Sequence, residues 1–287
     1  MMKLYPDTHY SAALHENDWA QLKRFTDARI ALGRAGCSIP TNELLKFQLA
    51  HAQAKDAVLC QLNIPKLQQQ LEQLQLEHIH VQSQASNKEL YLKHPDLGRV
   101  LSDESRTLVK EYVTKSAQTF DVVIVAGDGL SALAIEENAI PFIQLMRQEV
   151  QQQGWSLAPV ILATGSRVAL GDEIAQTLQA RMLIMLIGER PGLSSPDSMG
   201  VYYTWQAKTG CQDSVRNCIS NIRPAGLSLH VAAQRLIALM QNSARLQLSG
   251  VHLKDEHTLN TEIKNQSVKY LFCPLQLFIK NSALLEH

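Results

Sequence analysis

Apolar residues recur at near-helical spacing through roughly the first 115 positions and gather into continuous runs after that. In NDWAQLKRFTDARIAL (17–32), Trp19, Leu22, Phe25, Arg29 and Ile30 trace a helical spacing, with Asn17 or Asp18 as the N-cap. GRAGCSIP (33–40) breaks that helix with two glycines and a proline. Thr41 is placed to cap a second helix with Leu45, Leu49 and Ala52 on one face. Pro65 opens a third, carrying Leu67, Leu71 and Leu74. Residues 79–94 alternate instead, with Ile79, Val81, Leu90 and Leu92, and predict a small hairpin. Asp103 is placed to cap a further helix in which Leu108, Val109, Tyr112 and Val113 share a face.

From Phe120 the period changes. DVVIVAG (121–127) is a β-branched run of the kind covered on both faces. A helix is expected from Ser131 to Gln153, followed by a strand in LAPVILAT (157–164), a helix in DEIAQTLQA (172–180) and a strand in RMLIMLIG (181–188). GVYYTWQ (200–206) and NCISNI (217–222) read as two more strands, and the amphipathic LHVAAQRLIALMQNSARL (229–246) closes the unit. Strands alternating with helices predict an α/β protein: a mainly helical part, residues 1–119, then a parallel-sheet domain, residues 120–254, with a tail over 255–287.

Ligands of such sheets sit beyond the carboxyl ends of the strands. Four segments should reach that edge: GDGLS (127–131), GSRV (165–168), GERPGL (188–193) and CISNI (218–222). The glycines in three of them would let the backbone approach a ligand. In IGERPGLSS (187–195), a glutamate and an arginine follow a buried strand, and Pro191-Gly192 fits the two central positions of a type II turn. Glu189 and Arg190 would either pair with other charges and pin the loop or face a ligand. Asp128 and Ser131 would either cap the next helix or touch a ligand. Val168 alone reads as packing, and Cys218 reads equally well as a buried structural thiol.

Composition narrows the choice of function. The 287 residues are 45% hydrophobic, enough for a sizeable core in two domains, and 27 basic residues balance 27 acidic ones. That balance gives no nucleic-acid stripe and no polybasic membrane anchor, and no apolar run approaches the ~20 residues of a membrane span. Five cysteines without a C-x-x-C disfavour a disulfide framework or a zinc site and suggest a reducing cytosol. His78 and His80 fit one face of a strand and have no obvious third metal ligand. A dinucleotide fingerprint fails at Ala132, where glycine is needed, and no P-loop or G-x-S-x-G elbow occurs.

The segments LGRAG (32–36), NKELYLKHPDLGRVL (87–101), GDGLSALAI (127–135), GERPGL (188–193) and NCISNIRPAG (217–226), in that order, resemble the signature segments of the small (light) subunit of ethanolamine ammonia-lyase. The resemblance spans about residues 15–254. It implies a helical N-terminal part and a Rossmann-like C-terminal part. It also implies a heteromeric lyase that depends on adenosylcobalamin and converts ethanolamine to acetaldehyde and ammonia, with this chain closing the cobalamin site against a large catalytic subunit. The cofactor-contact positions it implies are Val168, Glu189 and Cys218. It implies no catalytic residue in this chain, and no nucleic-acid or membrane partner. The setting it implies is the cytoplasm, with an ethanolamine-utilisation microcompartment as the further compartment. A histidine-ligating D-x-H-x-x-G motif begins correctly in DTHYSA (7–12) but ends in alanine, so no protein histidine is expected on the cobalt. Two other functions are to be set beside this one: a structural subunit that touches the cofactor little, and a stand-alone nucleotide-binding protein. The family pattern usually ends near SGVHLKD (249–255), and residues 256–287 carry no functional reading.

Overall fold

The computed structural model describes residues 14–15, 17–116 and 118–253. The DTHYSA motif (7–12) and the tail (255–287) lie outside the described residues, and the described ones belong to one compact unit. Two short strands, β1 (Leu14–His15) and β2 (Arg34–Ala35), pair antiparallel around a 3₁₀ helix, Asp18–Phe25. The helix α1 (Thr41–Leu59), the helix α2 (Ile64–Gln73), the strand β3 (His78–Gln82), and the helices α3 (Lys88–Lys93) and α4 (Asp103–Ser116) follow. The remainder alternates: β4 (Val122–Gly127), α5 (Ala132–Gln152), β5 (Val160–Thr164), α6 (Leu170–Thr177) and β6 (Met182–Gly188). It ends with β7 (Met199–Trp205), β8 (Arg216–Ile222) and α7 (Leu229–Leu246).

The six-stranded sheet has the order β3-β5-β4-β6-β7-β8. β3, β5, β4 and β6 are parallel, β7 runs antiparallel to β6, and β8 antiparallel to β7. β8 therefore points the same way as β6, and both carboxyl ends meet on the edge where β4 and β5 also end. Every residue of β4 and β6 is buried, because helices cover both faces. Val122, Ile124 and Ala126 pack into a core with α5 and α7, while Val123 and Val125 pack into the opposite one with α4 and α6. Among the described residues no helix is long and apolar enough to cross a membrane.

Several expectations for the first half need correction. Residues 79–94 form no hairpin: β3 joins the edge of the sheet beside β5, and Lys88–Lys93 is helical. The first helix stops at Phe25, since Thr26 is extended and nothing buries its apolar side chains: Trp19 is 68% and Phe25 69% exposed. Its N-cap is Asn17, whose side chain accepts from Trp19 N–H. In α1 the buried stripe is Ala50, Ala54 and Ala57, so Leu45 and Leu49 face outward. Thr41 is already helical there, with Pro40 before it, and Ser102 rather than Asp103 caps α4, accepting from Ser105 N–H at 3.2 Å.

Candidate functional site

The glycines at the carboxyl edge, expected from sequence to admit a ligand, sit at close contacts between the loops. They let the loops pack on one another. A Cβ on Gly129, which has a positive φ of 52°, would strike the Gly188 carbonyl, and one on Gly188 would come to 2.5 Å from the Asp128 carbonyl. Leu130 N–H donates to Gly188 O at 2.9 Å across the same contact. Ser131 is the N-cap of α5, accepting from Ala134 N–H at 3.2 Å and donating to Pro196 O at 2.7 Å.

Asp128 plays a different part from a cap. Its carboxylate accepts from Gly165 N–H at 3.0 Å and Ser166 N–H at 2.8 Å, tying the end of β4 to that of β5. Lys88 lies 4.0 Å from it and donates to Gly129 O at 3.0 Å. Burial pushes the Asp128 carboxyl up, with Lys88 and the loop amides opposing, and burial pushes the Lys88 ammonium down.

Glu189 stands at the end of β6, half-buried. Its N–H donates to Ser198 O at 3.0 Å, which brings the loop back onto the strand. Its carboxylate accepts from Ser198 Oγ at 2.6 Å, Ser220 Oγ at 2.7 Å and Asn221 N–H at 3.3 Å. Gly200 lies beneath, where a Cβ would come to 2.8 Å from Oε1. The partners are thus hydroxyls and an amide, not the cations that a charge-pinned loop would use. Arg190 is exposed, and among the described residues it makes no ion pair. The tight turn is displaced from Pro191-Gly192: Gly192 and Ser195 exchange both backbone hydrogen bonds at 3.1 Å, so Leu193 and Ser194 sit at its tip. Gly192 does not have the positive φ that a type II turn needs. Arg29 reaches across from the N-terminal segment to Leu193 O at 3.3 Å and holds the turn from outside.

Cys218 lies on β8, exposed, and so is not the buried structural thiol that its apolar neighbours suggested. The protein around its sulfur pushes the thiol up, with the Glu189 charge adding to the effect and hydrogen bonds from Tyr202 and Ser220 opposing. Val168 is half-buried where the β5 loop enters α6 and packs on the second core. No hydrogen bond among the described residues joins Val168, Glu189 and Cys218 to one another. Their shared neighbour is Tyr202 of β7, which sequence reasoning passed over as an ordinary strand residue. Tyr202 is in register with Cys218, and Tyr202 and Val168 both pack against the second core. Its hydroxyl is pushed up to about 12, first by burial, then by Cys218 and Glu189. The arrangement offers one fixed carboxylate, a soft thiol, a phenol and an apolar shoulder.

Among the described residues no group of three His, Cys, Asp or Glu side chains is placed to hold a metal ion. His78 and His80 do lie on a strand, and the His80 ring contacts Thr164 Oγ1 at 3.3 Å.

Comparison with known proteins follows the same lines. The family model described as Ethanolamine ammonia-lyase light chain (EutC) matches residues 16–254. A protein of Pseudomonas fluorescens strain SBW25 named ethanolamine ammonia-lyase small subunit is 50% identical over 248 residues, covering 86% of this chain and 90% of its own. Proteins of the same name from Pseudomonas syringae pv. tomato and Pseudomonas aeruginosa strain PAO1 are 48% and 47% identical, covering 85% and 87% of this chain and 85% and 92% of their own.

Proposed function

The chain belongs to the ethanolamine ammonia-lyase light-chain family, and from that premise we propose that it is the small subunit that closes an adenosylcobalamin site against a large catalytic subunit. In this reading residues 120–254 carry the cofactor face through Val168, Glu189 and Cys218, and residues 1–119 brace it. The observation that carries the proposal is the placement of Glu189. Its carboxylate is fixed by three donors at the sheet edge, beside an exposed Cys218 and an open cavity at Val168.

These residues suit the cofactor. A carboxylate has roughly four acceptor positions, so Glu189 keeps capacity for one further donor, and corrin side-chain amides are donors. Val168 gives apolar contact, and the raised thiol of Cys218 keeps that contact neutral. The guanidinium of Arg167, next in sequence to Val168, adds a buried Nε donor with no hydrogen-bond partner among the described residues. When bound, the cofactor supplies homolysis of its cobalt–carbon bond. The chain's own residues hold and orient it and exclude water. None of them exchanges a proton with substrate, which the large subunit selects. The setting of this reading is the cytoplasm or an ethanolamine-utilisation microcompartment.

The test is co-purification with the large subunit from the same organism, recording the visible absorbance of retained cobalamin with and without this chain. Retention only with both chains is expected, and Glu189→Gln should weaken cobalamin affinity roughly ten- to a hundredfold with assembly intact. A large subunit that holds cobalamin equally well alone would make this chain a structural subunit. That second reading has an observation in its favour, since Glu189 already accepts three hydrogen bonds from its own chain.

A further inference from the structure

A cavity of about 500 Å³ opens beside Val168, between the start of α6 and the β7–β8 end of the sheet. Three arginines border it: Arg99, Arg167 and Arg216. They are not equivalent. Arg216 is committed, since its guanidinium meets Asp172 through two hydrogen bonds of 2.6 Å and reaches Asp213 at 3.4 Å. Arg167 is stacked with its guanidinium carbon 4.5 Å from the Tyr91 ring centroid, and its Nε is buried with no hydrogen-bond partner among the described residues. Arg99 is exposed and makes no ion pair among the described residues.

The backbone builds these two free cations into one place. Arg167 N–H donates to Gly98 O at 2.8 Å, so the residue after Gly98 lies alongside the residue before Val168. A Cβ at Gly98 would come to 2.9 Å from Gly165 O and 3.0 Å from Arg167 Cγ, so only glycine admits the approach. Among the described residues the carboxylate at the rim is Asp213, which is fully exposed and already faces Arg216. A partly buried guanidinium with an unmet N–H is costly until an acceptor completes it. A planar fork of donors matches the oxygens of a phosphate better than those of a neutral amide.

We infer that Arg99 and Arg167 form an anion subsite that receives the phosphodiester of the cobalamin nucleotide loop. The inference rests on the proposed function above and extends it from the contacts of Val168, Glu189 and Cys218 to a charged anchor next to them. Free phosphate has the same chemistry, and the experiment separates the two sources.

The complex of this chain with its large subunit is titrated with hydroxocobalamin, cobinamide phosphate and cobinamide, following the visible spectrum. Arg99→Gln, Arg167→Gln and Arg167→Lys are compared with Lys110→Gln, an exposed cation on α4. The wild-type complex should bind cobinamide phosphate more tightly than cobinamide. Each Gln variant should weaken hydroxocobalamin and cobinamide phosphate by about tenfold or more and leave cobinamide unchanged. Arg167→Lys should retain part of the difference, and Lys110→Gln all of it. Equal weakening of cobinamide would mean that the arginines act through structure, and would overturn the subsite. So would equal binding of the two cobinamides alongside inorganic phosphate binding that the Gln variants abolish, since the site would then take free phosphate. A wild-type complex that binds no corrinoid would overturn the proposed function itself, a result distinct from the other two. Arg99 is exposed, so its variant remains informative even if the Arg167 variants fold poorly.

Discussion

The ion pair between Asp172 and Arg216 sets the wall of the site, and removing half of it should be felt throughout the sheet edge. The side chains are 1% and 2% exposed, and the two guanidinium NH2 nitrogens meet the two carboxylate oxygens at 2.6 Å each. In Asp172→Ala the guanidinium stays buried. Its remaining partners are Cys211 O at 3.1 Å, Thr204 Oγ1 at 3.4 Å and the exposed Asp213 at 3.4 Å, none of which replaces a bidentate carboxylate. An uncompensated buried charge of this kind costs about 3–5 kcal/mol. With a urea m-value near 3 kcal/mol/M, the unfolding midpoint should fall by about 1–1.7 M. Equilibrium unfolding followed by circular dichroism measures it. The double variant Asp172→Leu with Arg216→Met removes both charges and should recover most of the loss, because the desolvation cost disappears with the attraction. A single-variant shift below about 0.3 M, or a double variant as unstable as the single one, would refute the reasoning.

Two further outcomes follow from the same edge. Cys218 is exposed, yet its thiol is pushed up, so at pH 8 it should alkylate more slowly than an ordinary exposed thiol, because the thiolate is the reactive form. Removing the nearby negative charge with Glu189→Gln should move the iodoacetamide rate profile of the Cys218 peptide to lower pH, as read by mass spectrometry. An unchanged profile would mean that the charge is not felt at the sulfur. Gly188→Ala puts a methyl against the backbone carbonyls of Asp128 and Ser131. It should lower the midpoint of thermal unfolding by several degrees, and a midpoint unchanged within error would show that the loops can part without cost.

The central strands were legible because their signal is composition rather than alternation: β4 and β6 are buried on both faces, so each reads as an unbroken apolar run. The direction of β7 and β8 was not read, although a signal was present. A parallel crossover needs about a dozen residues or more, usually a helix, whereas only residues 189–198 and 206–215 join these strands. The orientation of α1 was misread because its leucines outweigh its alanines in hydropathy, while Ala50, Ala54 and Ala57 form the stripe small enough to sit against the body of the fold. Glu189 and Val168 fall on the edge that the strand pattern predicted. Cys218 lies inside β8, two rungs before the end of the pairing at Ile222, and reaches the site only because β8 is an exposed strand. Tyr202 could not be singled out, since a tyrosine in a strand acquires its meaning from the residues across the register.

The antiparallel excursion through β7 explains why one carboxylate can govern so much of this surface. β6 leaves the sheet at Gly188, β7 returns beside it, and β8 runs out again in the direction of β6, delivering Ser220 and Asn221 to the side chain at the end of β6. Glu189 is therefore a staple between two strands that are not neighbours, with Gly200 of the intervening strand kept bare so that the staple fits. Under the proposed function, any substitution there acts twice, on the cofactor and on the position of β8. The two actions separate when cofactor affinity and the Cys218 profile are measured on the same variant. A change of charge alone shifts the thiol profile modestly and leaves the unfolding midpoint in place. A displaced β8 also breaks the Cys218–Tyr202 register and lowers the midpoint. Loss of cobalamin with the register intact places the lost contact on the carboxylate itself, whereas loss together with a broken register assigns it to the strand that the carboxylate was holding.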